Sequence, residues 1–472
     1  MLATSSTFKE NSRKALDDAP LQQALGKMKV GFQEKRRLAV EKMPEWEQLR
    51  DAGKAIKDHT LAHIDFYLEA FESKVIASGG HVHWARTAAE ARDIILKLCQ
   101  DAGARTVTKG KSMIAEEIAL NDHLAANGVV PIETDLGEYI IQLREEPPSH
   151  IIAPAVHLNA GQIADSFRQH HSHLDPKRDL TEHRALLEEA RSELRNKFID
   201  ADVGITGANF LIAETGTTVI VTNEGNGDLT QLLPKTHIVL ASLEKVVPTL
   251  ADATSILRLL ARSATGQEFS TYTTFSTGPR RPGDKDGPEN FHVVLLDNGR
   301  SAMLGTEFQD MLRCIRCSAC MNHCPVYATV GGHAYGWVYP GPMGAVLTPT
   351  LIGIEQGGHL PNASTFCGKC ESVCPMKIPL PKMMRHWRET QVDKGLTTPA
   401  ARYGIALWAF FAERPKLYQF ATGLAAKALK LASGRKGRFA SLPLAGGWTA
   451  GRDMPAPQGK TFQQMWAERA GK

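Results

Sequence analysis

The 472-residue chain has no apolar run long enough to cross a bilayer. Its longest such stretch toward the C-terminus, Gly404–Ala412, falls far short of the roughly 20 residues a spanning helix needs. The opening MLATSSTFKENSRK lacks the apolar centre of a secretory leader, so the expected location is cytoplasmic. Cysteine is sparse and unevenly placed: of eight, seven fall between positions 314 and 374 and only Cys99 stands apart. A disulfide framework would scatter them, so this crowding points to metal. No dinucleotide fingerprint is present, because Gly225-Asn226-Gly227-Asp228 lacks the helix and the spacing. Lys109-Gly110-Lys111-Ser112 lacks the upstream glycine of a phosphate-binding loop. The one internal duplication is a partial one, of the cysteine motif.

What is there reads as an ordinary soluble protein, 43% apolar and 22% charged. Its length implies two or three domains. Charge is nearly balanced at +4 but unevenly spread: Gly395–Lys472 holds 12 Lys/Arg against 3 Asp/Glu, net +9, so the rest carries −5. Such a tail could meet an anionic membrane surface, an acidic partner or nucleic acid, or be a solvated face. The first hundred residues read as helical, over Leu21–Met43 and Trp46–Ser78, with Pro44 as the break. Short β-like runs follow (residues 105–108, 128–132, 138–143, 150–154 and 236–241), with helices expected over Met113–Ala126 and Arg184–Phe198. Alternation of this kind predicts an α/β layer with a largely parallel sheet, ending in a strand at Phe291–Leu296. The polar stretch Ser276–Glu289 is a loop. The expected division is a helical segment over 1–60, an α/β domain over 61–300, a cysteine domain over 305–395 and a basic helical region over 396–472. From Gly434 onward Gly and Pro suggest a loosely ordered tail.

Cys314, Cys317, Cys320 and Cys324-Pro325 form the bacterial ferredoxin run, in which three thiolates wrap one cluster and the fourth ligates another. Structural zinc prefers two separated pairs, a different pattern. The second motif is shorter: Cys367, Cys370 and Cys374-Pro375. Aligning the two Cys-Pro ends puts Ser364 where a fourth cysteine would stand. Cross-ligation then assigns Cys314, Cys317, Cys320 and Cys374 to the first cluster, and Cys324, Cys367 and Cys370 to the second. The second lacks one thiolate, so its last iron takes Ser364 Oγ, water or a partner's group, or the centre is [3Fe–4S]. The 42 residues between the motifs exceed what a compact ferredoxin needs. Short helices at Pro349–Gln356, with proline in the first turn, and at Pro381–Thr390 favour the helical type of two-cluster domain. With clusters and no nucleotide site, the chain reads as an electron relay.

Other candidates are weaker. His170, His171 and His173 could ligate metal, though a solvated loop or helix face is expected. Glu214, before Thr215-Gly216-Thr217, could be a base or nucleophile at a strand end; a turn is the expected reading. Trp408, Phe410 and Phe411 are expected to pack in a core, with a membrane interface as the alternative.

Residues 107–113 (ValThrLysGlyLysSerMet), 133–143, 150–159 and 204–217 (GlyIleThrGlyAlaAsnPheLeuIleAlaGluThrGlyThr) are similar to the lactate-utilization (LUD) domain. Followed by the two cysteine motifs, they resemble the lactate utilization protein B family over about residues 55–470. The resemblance implies a LUD domain of the NagB/RpiA/CoA-transferase-like α/β fold, an α-helical ferredoxin domain with two [4Fe–4S] clusters, and a helical C-terminal tail. It also implies an iron–sulfur subunit of an L-lactate dehydrogenase complex that oxidises lactate to pyruvate. That subunit would relay electrons from a partner dehydrogenase subunit to an acceptor, alongside a cysteine-rich subunit and a second LUD-domain subunit. It carries no catalytic residue over to the α/β domain. Nucleic acid is not expected as a partner, and contact with the inner face of the membrane is left open. The alternative is an α/β enzyme of acyl or sugar chemistry whose clusters are structural or sensory.

Overall fold

The computed structural model of the chain describes residues 3–110, 112–442, 446–449 and 451–470; Lys111 and the last two residues of the basic tail lie outside the described residues. Two compact units emerge, one up to Gln391 and one from Val392 onward.

Within the first unit the strands are, in chain order, β1 (His81–Ala85), β2 (Thr106–Gly110), β3 (Val130–Glu133), β4 (Val203–Gly207), β5 (Phe210–Ile212), β6 (Thr217–Thr222), β7 (Thr236–Ser242), β8 (Val246–Val247), β9 (Tyr272–Ser276) and β10 (Asn290–Leu296). Six make a sheet in the order β1-β10-β7-β4-β2-β3, with every neighbouring pair parallel. β4 and β7 lie in its middle and are buried along their whole length, which suits the continuous apolar runs of a sheet covered on both faces. Helices Ala88–Asp101 and Leu120–Ala126 cover one face through Ala91, Ile95 and Leu124, which pack on Val107, Ile205 and Leu240. Helix Ile64–Ala77 covers the other with Phe71 and Val75 against Val239 and Val293. The remaining four strands form a second sheet, β8-β5-β6-β9. An added Cβ at Gly204 would stand 1.8 Å from the Thr230 carbonyl oxygen; the bare glycine lets helix Asn226–Leu232 lie directly on β4.

Several expected elements differ. Residues 138–143 are part of a helix, Leu136–Leu143, because Asp135 caps its first turn by accepting from the Gly137 and Glu138 amides. Residues 150–154 form no strand; their backbone turns around the buried His150, whose Nδ1 accepts from the Ile152 and Ala153 amides. The expected helix Trp46–Ser78 is two, broken at His63, and β1 follows it within the stretch read as helical. Met113–Ala126 breaks at Ala119, which is left-handed at φ 51°. Pro349 sits inside helix Gly341–Ile352, with Pro342 in its first turn. A helix does follow Gly225, over Asn226–Leu232, though without the fingerprint spacing. Beyond Gly434, Arg438–Phe439 pairs with Met454–Pro455 and Phe462–Ala470 is helical.

One hydrophobic core runs from the N-terminal helices (Leu25, Trp46, Leu49, Leu61) through Phe210 and Val219 of the second sheet to the cysteine region. In the second unit, helix Pro399–Ala412 has no buried residue. Trp408 and Phe410 are exposed and Phe411 is half-buried, so the expectation of core packing there fails.

Candidate metal centres and the adjoining crevice

Each cysteine motif is a short irregular loop feeding a one-turn helix. In the first, Arg316 and Ser318 flank Cys317 with left-handed backbones, φ 58° and 61°, before helix Ala319–Asn322. In the second, Phe366 and Gly368 flank Cys367 at φ 53° and 77°, before helix Lys369–Ser372. Backbone strain of this kind persists only where the surroundings enforce it, commonly at functional sites. The two loops superpose in sequence register, with Cys317 matching Cys367 and Cys320 matching Cys370. On that register Ser364 matches Cys314, and it acts alike. The Arg316 amide donates to Cys314 Sγ at 3.4 Å, and the Phe366 amide donates to Ser364 Oγ at 3.1 Å.

The seven thiols separate into two groups that cross the motifs. One cavity is lined by Cys314, Cys317, Cys320 and Cys374, with Met311, Ile315, Met343 and Ile378 as an apolar shell. A second is lined by Cys324, Cys367 and Cys370 together with Ser364 and Thr365. Helix Gly341–Ile352 borders both, with Met343 on the first and Pro342 on the second. The thiols surround space instead of meeting at a point: among the described residues no three His, Cys, Asp or Glu groups could hold a single metal ion. Four thiols around an apolar-walled cavity suit a cubane, and backbone N–H groups aimed at sulfur, such as Ile378 to Cys374 Sγ at 3.5 Å, are among the contacts that tune cluster potentials.

Burial pushes the Cys370 thiol up to about 12 and Cys374 to about 11, and raises Cys317 and Cys320 further. Cys367 differs. It is exposed, and the Lys369 amide and then the Thr365 hydroxyl hold its thiol below the usual value.

The N-terminal helices hold the motifs from outside. Arg50 donates to the Cys374 carbonyl at 2.7 Å and the Ser372 carbonyl at 3.2 Å while paired with Glu47. Arg36 donates to Val373 O at 2.9 Å, and Gln33 to Asn322 O at 2.8 Å.

Next to the first cavity lies a buried charge network. Arg300 pairs with Glu117 at 2.6 Å and Glu244 at 3.1 Å, and Arg316 reaches Glu244 at 3.2 Å. Tyr339 OH donates to Glu117 at 2.7 Å, and the Arg316 guanidinium lies over the Tyr339 ring. Burial would raise the Glu244 carboxyl, but Arg300 and Arg316 hold it near 2. Burial and the neighbouring Arg316 lower Lys245 to about 8. The only textual clue was a charged residue, Arg316, inside the ligand loop.

The other candidates are structural. His171 is not solvated but buried, bonded to Tyr139 OH at 2.9 Å and Glu189 at 2.7 Å; His173 reaches Glu193 at 2.9 Å, and His170 is exposed. Glu214 accepts from the Leu250 amide at 2.8 Å, capping helix Leu250–Ala264. Lys109 is buried between Glu116 and Glu133 at 2.6 and 2.7 Å. Lys111 lies outside the described residues.

Known families match the chain in three consecutive pieces: the LUD domain over residues 68–296, a 4Fe-4S dicluster domain over 310–378, and the lactate utilisation protein B C-terminal family over 382–471. Lactate utilization protein B of Oceanobacillus iheyensis is 43% identical, across 98% of this chain and 96% of its own length. The protein of that name from Bacillus subtilis is 41% identical across 98% and 96%. An uncharacterized electron transport protein, YkgF, of Escherichia coli is 41% identical across 98% and 97%.

Proposed function

We propose, because this chain belongs to the lactate utilization protein B family, that it is the iron–sulfur electron-transfer subunit for oxidation of L-lactate to pyruvate. The observation that carries this reading is the grouping of the cysteines around two neighbouring cavities, one with four thiols and one with three. Two clusters so close can pass single electrons between them. The first takes Cys314, Cys317, Cys320 and Cys374. The second takes Cys324, Cys367 and Cys370, with Ser364 Oγ in the fourth place, and it lies nearer the surface because Cys367 is exposed. What such clusters supply is one-electron chemistry; the chain's residues supply thiolates, an apolar shell and backbone N–H groups that set the potential. Electrons enter from a partner dehydrogenase subunit, in an assembly with a cysteine-rich subunit and a second LUD-domain subunit. Among the described residues no helix is long and apolar enough to cross a membrane. The exposed Trp408 and Phe410 of the basic second unit would serve contact with an anionic inner membrane face.

The test is a redox-monitored EPR titration of the purified protein, followed by dye reduction with L-lactate in the co-purified assembly. Two reversibly reducible signals are expected, and lactate-dependent dye reduction should require this chain. Clusters that cannot be reduced and reoxidised would sink the relay.

A further inference from the structure

A crevice opens where β4 and β7 end, at Gly207 and Ser242. This is the edge of an α/β sheet at which ligands commonly bind. It has a cavity volume of about 200 Å³, more than a three-carbon acid fills. Val221, Leu240 and Leu260 give it an aliphatic side; Asn209, Thr222 and Ser242 give hydrogen-bonding groups. Lys245 also lines it, and among the described residues no hydrogen bond or ion pair engages its ammonium group. Arg300 and Arg316, by contrast, are matched by Glu117 and Glu244. Asp135 and Glu138 line the crevice too and are already engaged. Lys245 is therefore an ammonium facing the crevice with no hydrogen bond or ion pair among the described residues. Arg316 and Ile151 line both this crevice and the cavity of Cys314, Cys317, Cys320 and Cys374, so a single layer of side chains separates the two.

We propose that the crevice binds a flat, conjugated two-electron carrier that is anionic when reduced, a flavin or a quinone, with its negative end at Lys245 and its edge toward the first cysteine cavity. The inference rests on the electron-transfer reading. Converting lactate to pyruvate releases an electron pair, whereas a cluster accepts one electron at a time, so something between them must hold two and give one. The reduced monoanion loses one proton to solvent and two electrons to the first cluster, the second electron following once the first has passed to the second cluster. The carrier returns to its neutral oxidised form. An aliphatic wall suits a ring system, and the Lys245 ammonium suits the charge that reduction creates.

The full chain with its clusters loaded is titrated with flavin mononucleotide and, separately, with naphthoquinone sulfonate, following binding by equilibrium dialysis and cluster content by iron analysis and EPR. One of the two should bind, and which one does identifies the carrier class. Lys245→Gln should weaken it about tenfold or more at equal cluster content, and Ala264→Trp, which fills the crevice, should abolish it. Should either variant fail to fold, the other decides. Absence of binding by cluster-loaded wild type, or binding unchanged by the variants, overturns the proposal. So does occupation by pyruvate alone with neither carrier bound. Wild type whose clusters cannot be cycled would count against the electron-transfer reading instead, since that is measured before any carrier is added.

Discussion

Ser364 and Cys314 occupy equivalent places in two loops of matching backbone, each accepting the amide two residues on. Oxygen is a harder donor than thiolate and favours the oxidised iron, so Ser364→Cys should raise the potential of the second cluster and Ser364→Ala should shift its EPR line shape, with the first cluster's signal intact in both. An unchanged spectrum in Ser364→Ala would remove it as a ligand. Cys374 lies in the second motif but lines the first cavity, so Cys374→Ser should erase the first cluster's signal. The buried thiols, raised to about 12 at Cys370 and about 11 at Cys374, must shed protons when a cluster enters. Cluster insertion should therefore become more favourable from pH 6.5 to pH 8.5, and chelators should strip clusters faster at the lower pH. These residues were legible because ligands of one cluster must recur at short fixed spacings. Lys245, Arg300, Glu117 and Tyr339 were not, since only the tertiary fold brings together groups from such separate stretches of chain.

Among elements, helix Trp46–Ala62 bears on the cysteine region more than its sequence suggests. Its Arg50 bonds two carbonyls beside Cys374. Arg50→Ala would leave them buried and unpaired, costing about 2 kcal/mol or more. Guanidinium unfolding should report that loss, together with faster decay of the first cluster's signal than the second's in air. The strand β7 could be read directly, being a largely apolar run of strand length. The segment 138–143 could not, because Tyr139-Ile140-Ile141 is a run too short for periodicity to separate strand from helix; the deciding feature is the Asp135 cap. Residues 150–154 misled for another reason. Their apolar side chains pack beneath a turn that His150 stabilises.

For the molecule as a whole, that histidine ties the α/β layer to the cysteine region. Its Nε2 donates to Asn322 Oδ1 at 2.8 Å, between Cys320 and Cys324 in sequence, and its Nδ1 is occupied as an acceptor. Nearby, a Cβ on Gly332 would stand 1.7 Å from the Ser149 carbonyl oxygen, which also accepts from Tyr327 OH at 2.7 Å. Burial holds His150 neutral, with its ionisation lowered to about 4. A depressed histidine contributes stability that is complete above about 6.5, its unfolded value, and lost as pH falls from there toward 4. The contribution is about 3 kcal/mol. Denaturant unfolding should show about 2 kcal/mol of that loss between pH 7 and pH 5 in wild type, and a smaller one in His150→Gln.

The crossing of thiols between cavities also bears on how the protein is made. Cys314, Cys317 and Cys320 leave the ribosome well before Cys374, and the cavity they share has its fourth thiol only when that residue has emerged and folded back. A chain cut short between the motifs would present three thiols of the first cavity and Cys324 alone of the second, and so no complete site. On the proposed assignment neither iron centre could be finished on an incomplete polypeptide, so a prematurely ended product would be born without redox activity and could not divert electrons.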